Sequence, residues 1–360
     1  MKNIELFLRK ILLRIILLLH SNRKNQSLPK FDGKTKILFI RLNRIGDALI
    51  TTPLISEVKN RLNPDIYILS DKKNKFIFHS IIERNKVVTF RKGLPGFLNT
   101  LKWINKMNFD VIVDTHDDVS TTVTFLTALS HAPRKFALDK KNRTVYTDTI
   151  EKPDSSKVHI VERVVKISEL FGIKIKYDNI NIIYKPASES IEIADNFIKD
   201  NFPTKHYLLG INISAGSEAR FWGIERFRKL LNVLSNYKNL DIVVLRSPKD
   251  ENLAEKITNG KFIIFNDHSF DELAAMISKL DMLFTPDTSA VHLASAFKVP
   301  VFGLYVHYNT KDMIWTPYKS KFKAIITEEP TLENLSYNKV VKDFIPFLEE
   351  NLYEKRNPRL

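Results

Sequence analysis

A short polar segment between an apolar run and a helix-forming stretch is the strongest candidate for a phosphate site in this sequence. Residues 285–289 contain Asp287 and Thr288, which are residue types that cap helices, and His292 follows one turn further in. The small residues after the cap leave backbone N–H groups uncovered at the positive end of the helix dipole. The segment therefore predicts diphosphate binding without a metal. An ordinary capped helix with a buried histidine is the alternative.

A carboxylate follows the first apolar run. Residues 36–41 predict a buried parallel strand, Gly46 permits a tight turn, and Pro53 indicates that a helix has begun. Asp47 would then lie at the carboxyl end of a strand, where ligands bind in open α/β sheets. An ionised carboxylate there can act as a general base, although capping of the helix is the alternative.

Apolar runs that alternate with helical-period stretches predict two parallel α/β domains. In the first half, the strand candidates are residues 36–41, 66–70, 86–90 and 111–114, and residues 157–171 predict a long amphipathic helix that closes the domain. In the second half, the strand candidates are residues 207–213, 241–246, 262–265, 282–285 and 299–305.

The domain boundaries follow from this alternation. Residues 184–190 are typical of an interdomain hinge. We expect a basic tail and linker over residues 1–34, one domain over 35–184 and a second over 185–335. A C-terminal helix over 336–360 is expected to pack back on the first domain.

Composition limits the class of protein. The chain has 360 residues, of which 44% are hydrophobic and 27% charged, as in globular proteins of two domains. It has no cysteine, and its nine histidines lack metal-site spacing, so we expect neither a metal nor a cofactor. A net charge of +15 makes a nucleic-acid-binding protein an alternative from a different class. No nucleic-acid fold signature supports it, and we expect no nucleic-acid partner.

The first 30 residues hold seven Lys and Arg against one Glu, mixed with long aliphatic side chains. Their longest apolar run, residues 15–19, is too short to span a bilayer, and no small-residue cleavage site indicates a secretory signal. The pattern predicts an amphipathic helix that binds an anionic membrane surface through residues 1–24. Docking on the protein's own surface is the alternative.

The Gly-Asp segment at Asp47 and the Asp-Thr segment at Asp287, about 240 residues apart, resemble glycosyltransferase family 9, the heptosyltransferases of lipopolysaccharide core synthesis. A third segment supports the resemblance: residues 212–217, followed by Arg220-Phe221-Trp222, look like the family's post-strand loop with its Lys-x-Trp element. Two departures lie in these motifs, since Arg220 replaces Lys and Ser289 replaces Gly. The resemblance spans about residues 35–320.

The resemblance implies a GT-B fold, in which two doubly wound Rossmann-like domains face a central cleft. It implies metal-independent, inverting transfer of a sugar, heptose from ADP-heptose, onto lipopolysaccharide core or a related lipid-linked saccharide. Such an enzyme would be cytoplasmic and peripheral on the inner face of the inner membrane. Another GT-B enzyme, such as a nucleotide-sugar epimerase, is the alternative.

Asp47 matches the catalytic base of the family. The predicted donor-binding residues are Arg220, Asp287, Thr288, Ser289, His292, Asp250, Glu251 and Ser214. Either Asp250 or Glu251 would contact ribose, unless both only stabilise the first turn of a helix. The predicted acceptor-binding residues, which lie near strand ends, are Arg41, Arg44, His116 and Asp117. Surface charges or a solvated cap are the alternatives for these four.

Overall fold

The computed structural model describes Ile11, Arg14, residues 31–204 and residues 206–356. Its contacts divide the chain into two compact units, Met1–Tyr184 and Lys185–Leu360. Apart from Ile11, Arg14 and residues 31–34, the predicted tail and its membrane-binding residues 1–24 lie outside the described residues. Within the described part of the chain, no helix is long and apolar enough to cross a membrane.

Unit 1 is a parallel sheet of six strands with helices in the connections. Its elements are β1 (Lys36–Arg41), α1 (Ile45–Leu62), β2 (Asp65–Asp71), β3 (Val87–Phe90), α2 (Leu94–Met107), β4 (Val111–Asp114), α3 (Thr121–Leu129), β5 (Arg134–Leu138), β6 (Asp148–Ile150) and α4 (Ile160–Val165). The strand order is β3-β2-β1-β4-β5-β6. The order reverses between β1 and β4, which is the switch point of a doubly wound sheet.

The central strand of unit 1 is buried on both faces. Ile37 of β1 pairs with Ile66 of β2 on one side and with Val111 of β4 on the other. Residues 37–40 are fully buried. An unbroken apolar run is what a parallel strand covered on both faces requires, which explains why the sequence predicted it.

Two features of unit 1 differ from expectation. The short strands β5 and β6 were not predicted from the sequence, and both begin with a charged residue. The expected long helix over 157–171 is shorter, because α4 changes into a 3₁₀ helix, Lys166–Phe171, that ends at left-handed Gly172.

Unit 2 repeats the topology of unit 1. Its elements are α5 (Ser188–Asn201), β7 (Tyr207–Asn212), α6 (Ile224–Leu234), β8 (Leu240–Leu245), α7 (Glu251–Thr258), β9 (Ile263–Phe265), α8 (Phe270–Ile277), β10 (Met282–Pro286), α9 (Ser289–Phe297), β11 (Val301–Val306), β12 (Phe322–Thr327) and α10 (Tyr337–Arg356). All strands are parallel in the order β12-β11-β10-β7-β8-β9, so the switch point lies between β7 and β10. The predicted pair of parallel α/β domains is confirmed, although β12 was not predicted.

The C-terminal helix packs in unit 2, which corrects the expectation that it packs back on the first domain. Val340, Phe344, Phe347 and Leu348 of α10 are buried in the core that β7, β10 and β11 form. The Phe344 ring lies 5.1 Å from Phe284 and 5.0 Å from Phe302. The three- and four-residue spacing of these side chains gives the helix an apolar stripe, which the face of the second sheet covers.

Phe344→Ala should therefore destabilise unit 2. Removing a fully buried aromatic ring leaves a cavity, and we expect a loss of about 3–5 kcal/mol in the free energy of unfolding. Urea titration followed by tryptophan fluorescence measures it, because Trp222 belongs to the same core. Lys342→Ala, at an exposed position of the same helix, is the control and should change the free energy by under about 0.5 kcal/mol. Equal effects of the two substitutions would contradict this packing.

Candidate functional site

A buried arginine ties together the two central strand ends of unit 1. Arg41, the last residue of β1, is 2% exposed. Its Nη2 lies 2.6 Å from Asp47 Oδ1, and its Nε donates to the Asp47 carbonyl at 3.0 Å. Its Nη1 donates to the carbonyl of Thr115, just after β4, at 2.7 Å. Arg41 thereby fixes the first turn of α1 at the switch point.

Asp47 does not cap α1. The N-cap position is Arg44, whose side chain makes no capping hydrogen bond, and Asp47 lies in the first turn of the helix. The turn before it depends on left-handed Asn43 (φ 96°) rather than on Gly46. Asp47 Oδ1 is held by Arg41, whereas Oδ2 makes no hydrogen bond or ion pair with a described residue, and the side chain is 19% exposed. The carboxylate is oriented at one oxygen and open at the other.

A second buried carboxylate lies at the end of β4. Asp114 Oδ1 is 2.7 Å from His116 Nδ1, and Oδ2 is 2.8 Å from Lys140 Nζ and 2.6 Å from the Tyr146 hydroxyl, which donates to it. Burial by itself would raise the pKa of Asp114, but the charges of Lys140 and His116 hold that pKa well below its usual value. The ionised carboxylate anchors the loop after β4.

The sequence predicted that Arg41 and His116 contact an acceptor. In the structure both side chains are buried and bound to other residues of unit 1. His116 is 5% exposed, and its two ring nitrogens lie 2.7 Å from Asp114 Oδ1 and 3.2 Å from the Leu42 carbonyl oxygen. Burial lowers the pKa of the Arg41 guanidinium, and the carboxylates of Asp47, Asp114 and Asp117 counter that effect. Both side chains are bound inside the protein, where they support the Asp47 turn.

Of the other two predicted acceptor residues, Asp117 is held in ion pairs and Arg44 is exposed. Asp117 Oδ2 lies 3.2 Å from Lys152 Nζ and 3.2 Å from Nη1 of the buried Arg163. Arg44 is exposed at the start of α1. A cation on the surface beside Asp47 can meet an anionic group, and contact of Arg44 with the acceptor stays a prediction.

In unit 2, Thr288 is the residue that caps α9. Its side chain accepts a hydrogen bond from Ala290 N at 3.3 Å, and Ser289 is the first helical residue. Asn212, the last residue of β7, donates to Thr285 Oγ1 at 2.8 Å and to Thr288 Oγ1 at 3.3 Å. The amide of Asn212 thus links β7 to the polar segment after β10, at the second switch point.

An arginine, Arg220, lies beside the start of α9. Arg220 Nη2 lies 3.2 Å from Asp287 Oδ2, and Arg220 Nη1 donates to the Asp287 carbonyl at 3.3 Å. Arg220 is 36% exposed, so it remains open to a ligand. His292 is buried one turn further along α9, with its ring centroid 6.0 Å from that of Trp315. Arg220, Asp287 and His292 thus lie around the first turn of α9.

The end of β8 holds the acids predicted to contact ribose. Asp250 Oδ2 accepts hydrogen bonds from the hydroxyls of Ser214 and Ser247, both at 2.6 Å. Ser214 Oγ in turn accepts from Ser247 N at 2.7 Å. Glu251 is instead 66% exposed and pairs with Arg246. Asp250 is therefore the better fixed of the two carboxylates, and Ser214 serves to hold it.

An acid that the sequence did not single out follows β9. Asp267 is 4% exposed, and its Oδ1 makes no hydrogen bond with a described residue. Burial raises the pKa of its carboxyl from 3.8 to about 6, although the charge of Arg246 opposes the shift. Because this pKa is higher in the folded chain than in the unfolded chain, ionisation of Asp267 lowers the free energy of unfolding as the pH rises toward neutral.

The sequence analysis did not single out three residues whose side chains hold the loops after β4 and β10 in place. Asn212 and Asp114 are polar residues that close apolar runs, and Arg163 is a cation on the buried face of an amphipathic stretch. A polar or charged residue at a position that must be buried is the signal that could have found them. Trp222, by contrast, is buried in the core of unit 2, and its Nε1 donates to the Leu335 carbonyl at 3.0 Å.

Sequence comparison relates the chain to sugar-transferring enzymes. The model of glycosyltransferase family 9 (heptosyltransferase) matches residues 98–345. The lipopolysaccharide core heptosyltransferase OpsX of Haemophilus influenzae is 22% identical over 293 residues, which cover 78% of this chain and 82% of the relative. Lipopolysaccharide heptosyltransferase 3 of Escherichia coli K12 is 25% identical over 335 residues, which cover 84% and 92%.

Solved structures show the same fold. A glycosyltransferase family 9 protein of Veillonella parvula superposes with a TM-score of 0.75 at 18% identity, covering 91% of this chain and 100% of that one. The E. coli heptosyltransferase WaaC with ADP gives a TM-score of 0.67 at 16% identity, covering 88% and 99%. The expected GT-B class, with two doubly wound α/β domains, is confirmed.

Asp267→Asn should change how stability depends on pH. The folded-state pKa of about 6 exceeds the ordinary 3.8, so the parent loses stability as pH rises through that window. Relative to the parent, the variant should gain about 3 kcal/mol in the free energy of unfolding between about pH 4 and about pH 7. Urea unfolding at several pH values measures the difference.

Glu251→Gln is the control for this pH series, since Glu251 pairs with the same arginine but is largely exposed. Its difference from the parent should stay nearly constant over the same range. A flat difference for Asp267→Asn as well would show that the carboxyl titrates normally in the folded chain.

Proposed function

The chain belongs to glycosyltransferase family 9, and on this premise we propose that it transfers heptose from ADP-heptose to a lipid-linked saccharide of the lipopolysaccharide core. The donor and acceptor are suggested by the names of the relatives, which are lipopolysaccharide heptosyltransferases. The observation that carries the proposal is Asp47, an oriented carboxylate with one open oxygen at a switch point. The transfer needs no resident cofactor in this proposal.

In the proposed reaction, the acceptor hydroxyl oxygen attacks the anomeric carbon of the donor sugar, and its proton passes to Asp47 Oδ2. The bond between that carbon and the diphosphate oxygen breaks, and the nucleoside diphosphate leaves with the electron pair. Attack opposite the leaving group inverts the configuration. Arg41 holds Asp47 at Oδ1, so that Oδ2 is oriented toward the hydroxyl before reaction.

The leaving diphosphate is assigned to the N-terminus of α9. The cap at Thr288 fixes the first turn, and its backbone N–H groups with the helix dipole attract the anion. Arg220 presents its remaining guanidinium N–H donors where negative charge develops. Asp287 would hold Arg220 in place, while Ser289 begins the helix and His292 follows one turn further along it. This set of donors replaces a metal ion in the proposal.

The nucleoside is assigned to the neighbouring strand ends. Asp250 Oδ2 is held by two serine hydroxyls, and no described residue bonds its Oδ1. A carboxylate with one free oxygen suits the paired hydroxyls of a ribose. Glu251 contributes to the position of Arg246 in this assignment.

The site of action is proposed to be the cytoplasmic face of the inner membrane. A lipid-linked acceptor must be reached at a bilayer surface. The basic and aliphatic residues 1–24 suit attachment to anionic lipid. Arg44 beside Asp47 is proposed to receive an anionic group of the acceptor saccharide.

Asp47→Asn tests the base. The amide cannot accept the proton, so we expect the transfer rate to fall by about a hundredfold or more while donor binding is retained. Transfer is measured with radiolabelled donor, and binding by the thermal shift that ADP-heptose produces. Glu57→Gln removes a carboxylate from the same helix and should leave the rate unchanged. Near-parental transfer by Asp47→Asn would remove Asp47 from the mechanism.

Arg220→Ala tests the donor site. Loss of a charge-assisted hydrogen bond should weaken binding of ADP-heptose by about 1.5–3 kcal/mol, as measured by calorimetry. Arg228→Ala, which removes an arginine paired with Glu225 elsewhere in unit 2, is the control. Parental activity should also persist in EDTA. Activity lost in EDTA and restored by magnesium would show that a metal carries the charge of the leaving group.

A further inference from the structure

One surface of unit 1 combines exposed leucines with exposed cations. Leu94 and Leu98 of α2 are 69% and 53% exposed. The same row of the helix continues through Lys102 and Lys106, which are also exposed. We call this row, together with Arg91 and Lys92 just before the helix, the α2 surface. Residues spaced by four lie on one face of a helix, so these side chains point the same way.

The opposite face of α2 explains why the leucines face outward. Gly96, Thr100 and Ile104 are its buried residues, again spaced by four. Phe97 and Leu101 pack beside them against the core of the sheet. The helix therefore has its apolar contacts already, and Leu94 and Leu98 are additional to the core.

Two glycines fix the start of this helix. Gly93, its N-cap, has φ 89°, a conformation that side chains disfavour. A Cβ at Gly96 would lie 2.0 Å from the Arg91 carbonyl oxygen. Only glycine lets the chain fold so closely onto the helix, and this contact holds Leu94 on the outside. Leu94 is therefore exposed in a backbone turn whose conformation Gly93 and Gly96 determine.

The charge of the segment identifies the partner. From residue 84 to residue 109 the sequence has six Lys and Arg and no Asp or Glu. Lys92 is 82% exposed, and its contact with Asp71 is long, at 3.6 Å. Aliphatic side chains flanked by cations match the boundary between acyl chains and anionic headgroups, where apolar burial and charge attraction add.

We propose that the α2 surface is a docking site for an anionic lipid bilayer, with Leu94 and Leu98 inserted below the headgroups and the cations among them. This contact is separate from residues 1–24 and lies in the unit that carries Asp47. It deepens the proposed function, since a lipid-linked acceptor would be met at the same bilayer. The vesicle test below requires neither donor nor acceptor, so it can fail while the proposed function stands.

The chain has no cysteine, so one introduced thiol gives a unique label. Asn99→Cys, at an exposed position next to Leu98, carries an environment-sensitive NBD group and keeps both leucines. Vesicles of phosphatidylethanolamine and phosphatidylglycerol should shift its emission to shorter wavelength. Vesicles of phosphatidylcholine alone should not, and salt should weaken the shift because it screens the cations. Ile193→Cys places the label at an exposed aliphatic position among acidic residues of α5, and should show no shift.

Leu94→Ser with Leu98→Ser, in the labelled chain, should abolish the emission shift and reduce partition into the anionic vesicles by about tenfold. Transfer to a soluble, delipidated acceptor should be unchanged. If the chain sediments with vesicles while the Asn99 label stays unshifted, attachment runs through another segment and the proposal is overturned. An emission shift that depends on protein concentration without vesicles would make this surface a contact between copies, which also overturns it.

Discussion

The reversal of strand order in each sheet is the constraint on which both candidate sites depend, the one at Asp47 in unit 1 and the one at Thr288 in unit 2. In unit 1 it separates β1 from β4, and in unit 2 it separates β7 from β10. Connections on the two sides leave in opposite directions there, which opens a crevice at the carboxyl ends of the strands. The last residue of the first strand spans that crevice in both units. Arg41 bonds to the Thr115 carbonyl, and Asn212 bonds to Thr285 and Thr288.

The two bridging side chains differ because their surroundings differ. A neutral amide suffices in unit 2, where hydroxyl groups accept its hydrogen bonds. In unit 1 the bridge is a charge, which burial alone would destabilise. The carboxylates of Asp47, Asp114 and Asp117 compensate it. The buried His116–Asp114–Lys140 cluster is therefore part of the support for Asp47, and the charges of Lys140 and His116 hold the pKa of Asp114 well below its usual value.

Sequence patterns predicted what repeats over several residues. Long apolar runs predicted β1, β7, β8 and β10 nearly to their ends, because a strand buried on both faces needs such a run. Strands β5, β6 and β12, which lie on the outer sides of the two sheets, contain charged residues, and the sequence did not predict them. At the sites, residue type located Asp47 and Thr288, but their partners come from other strands. Only the fold shows that Arg41 is buried on Asp47, or that Asp250 is held by Ser214.

The ion pair of Arg220 with Asp287 bears on the departure from the family's lysine. A carboxylate beside a diphosphate would repel it unless a cation neutralised the carboxylate first. Arg220 bonds both the side chain and the carbonyl of Asp287 through two of its nitrogens. A guanidinium has five N–H donors, so three remain for a ligand, in a plane that those two bonds orient. A lysine ammonium has three donors and no such plane. Arginine can thus neutralise Asp287 and still present fixed donors, which makes the substitution compatible with anion binding at the start of α9.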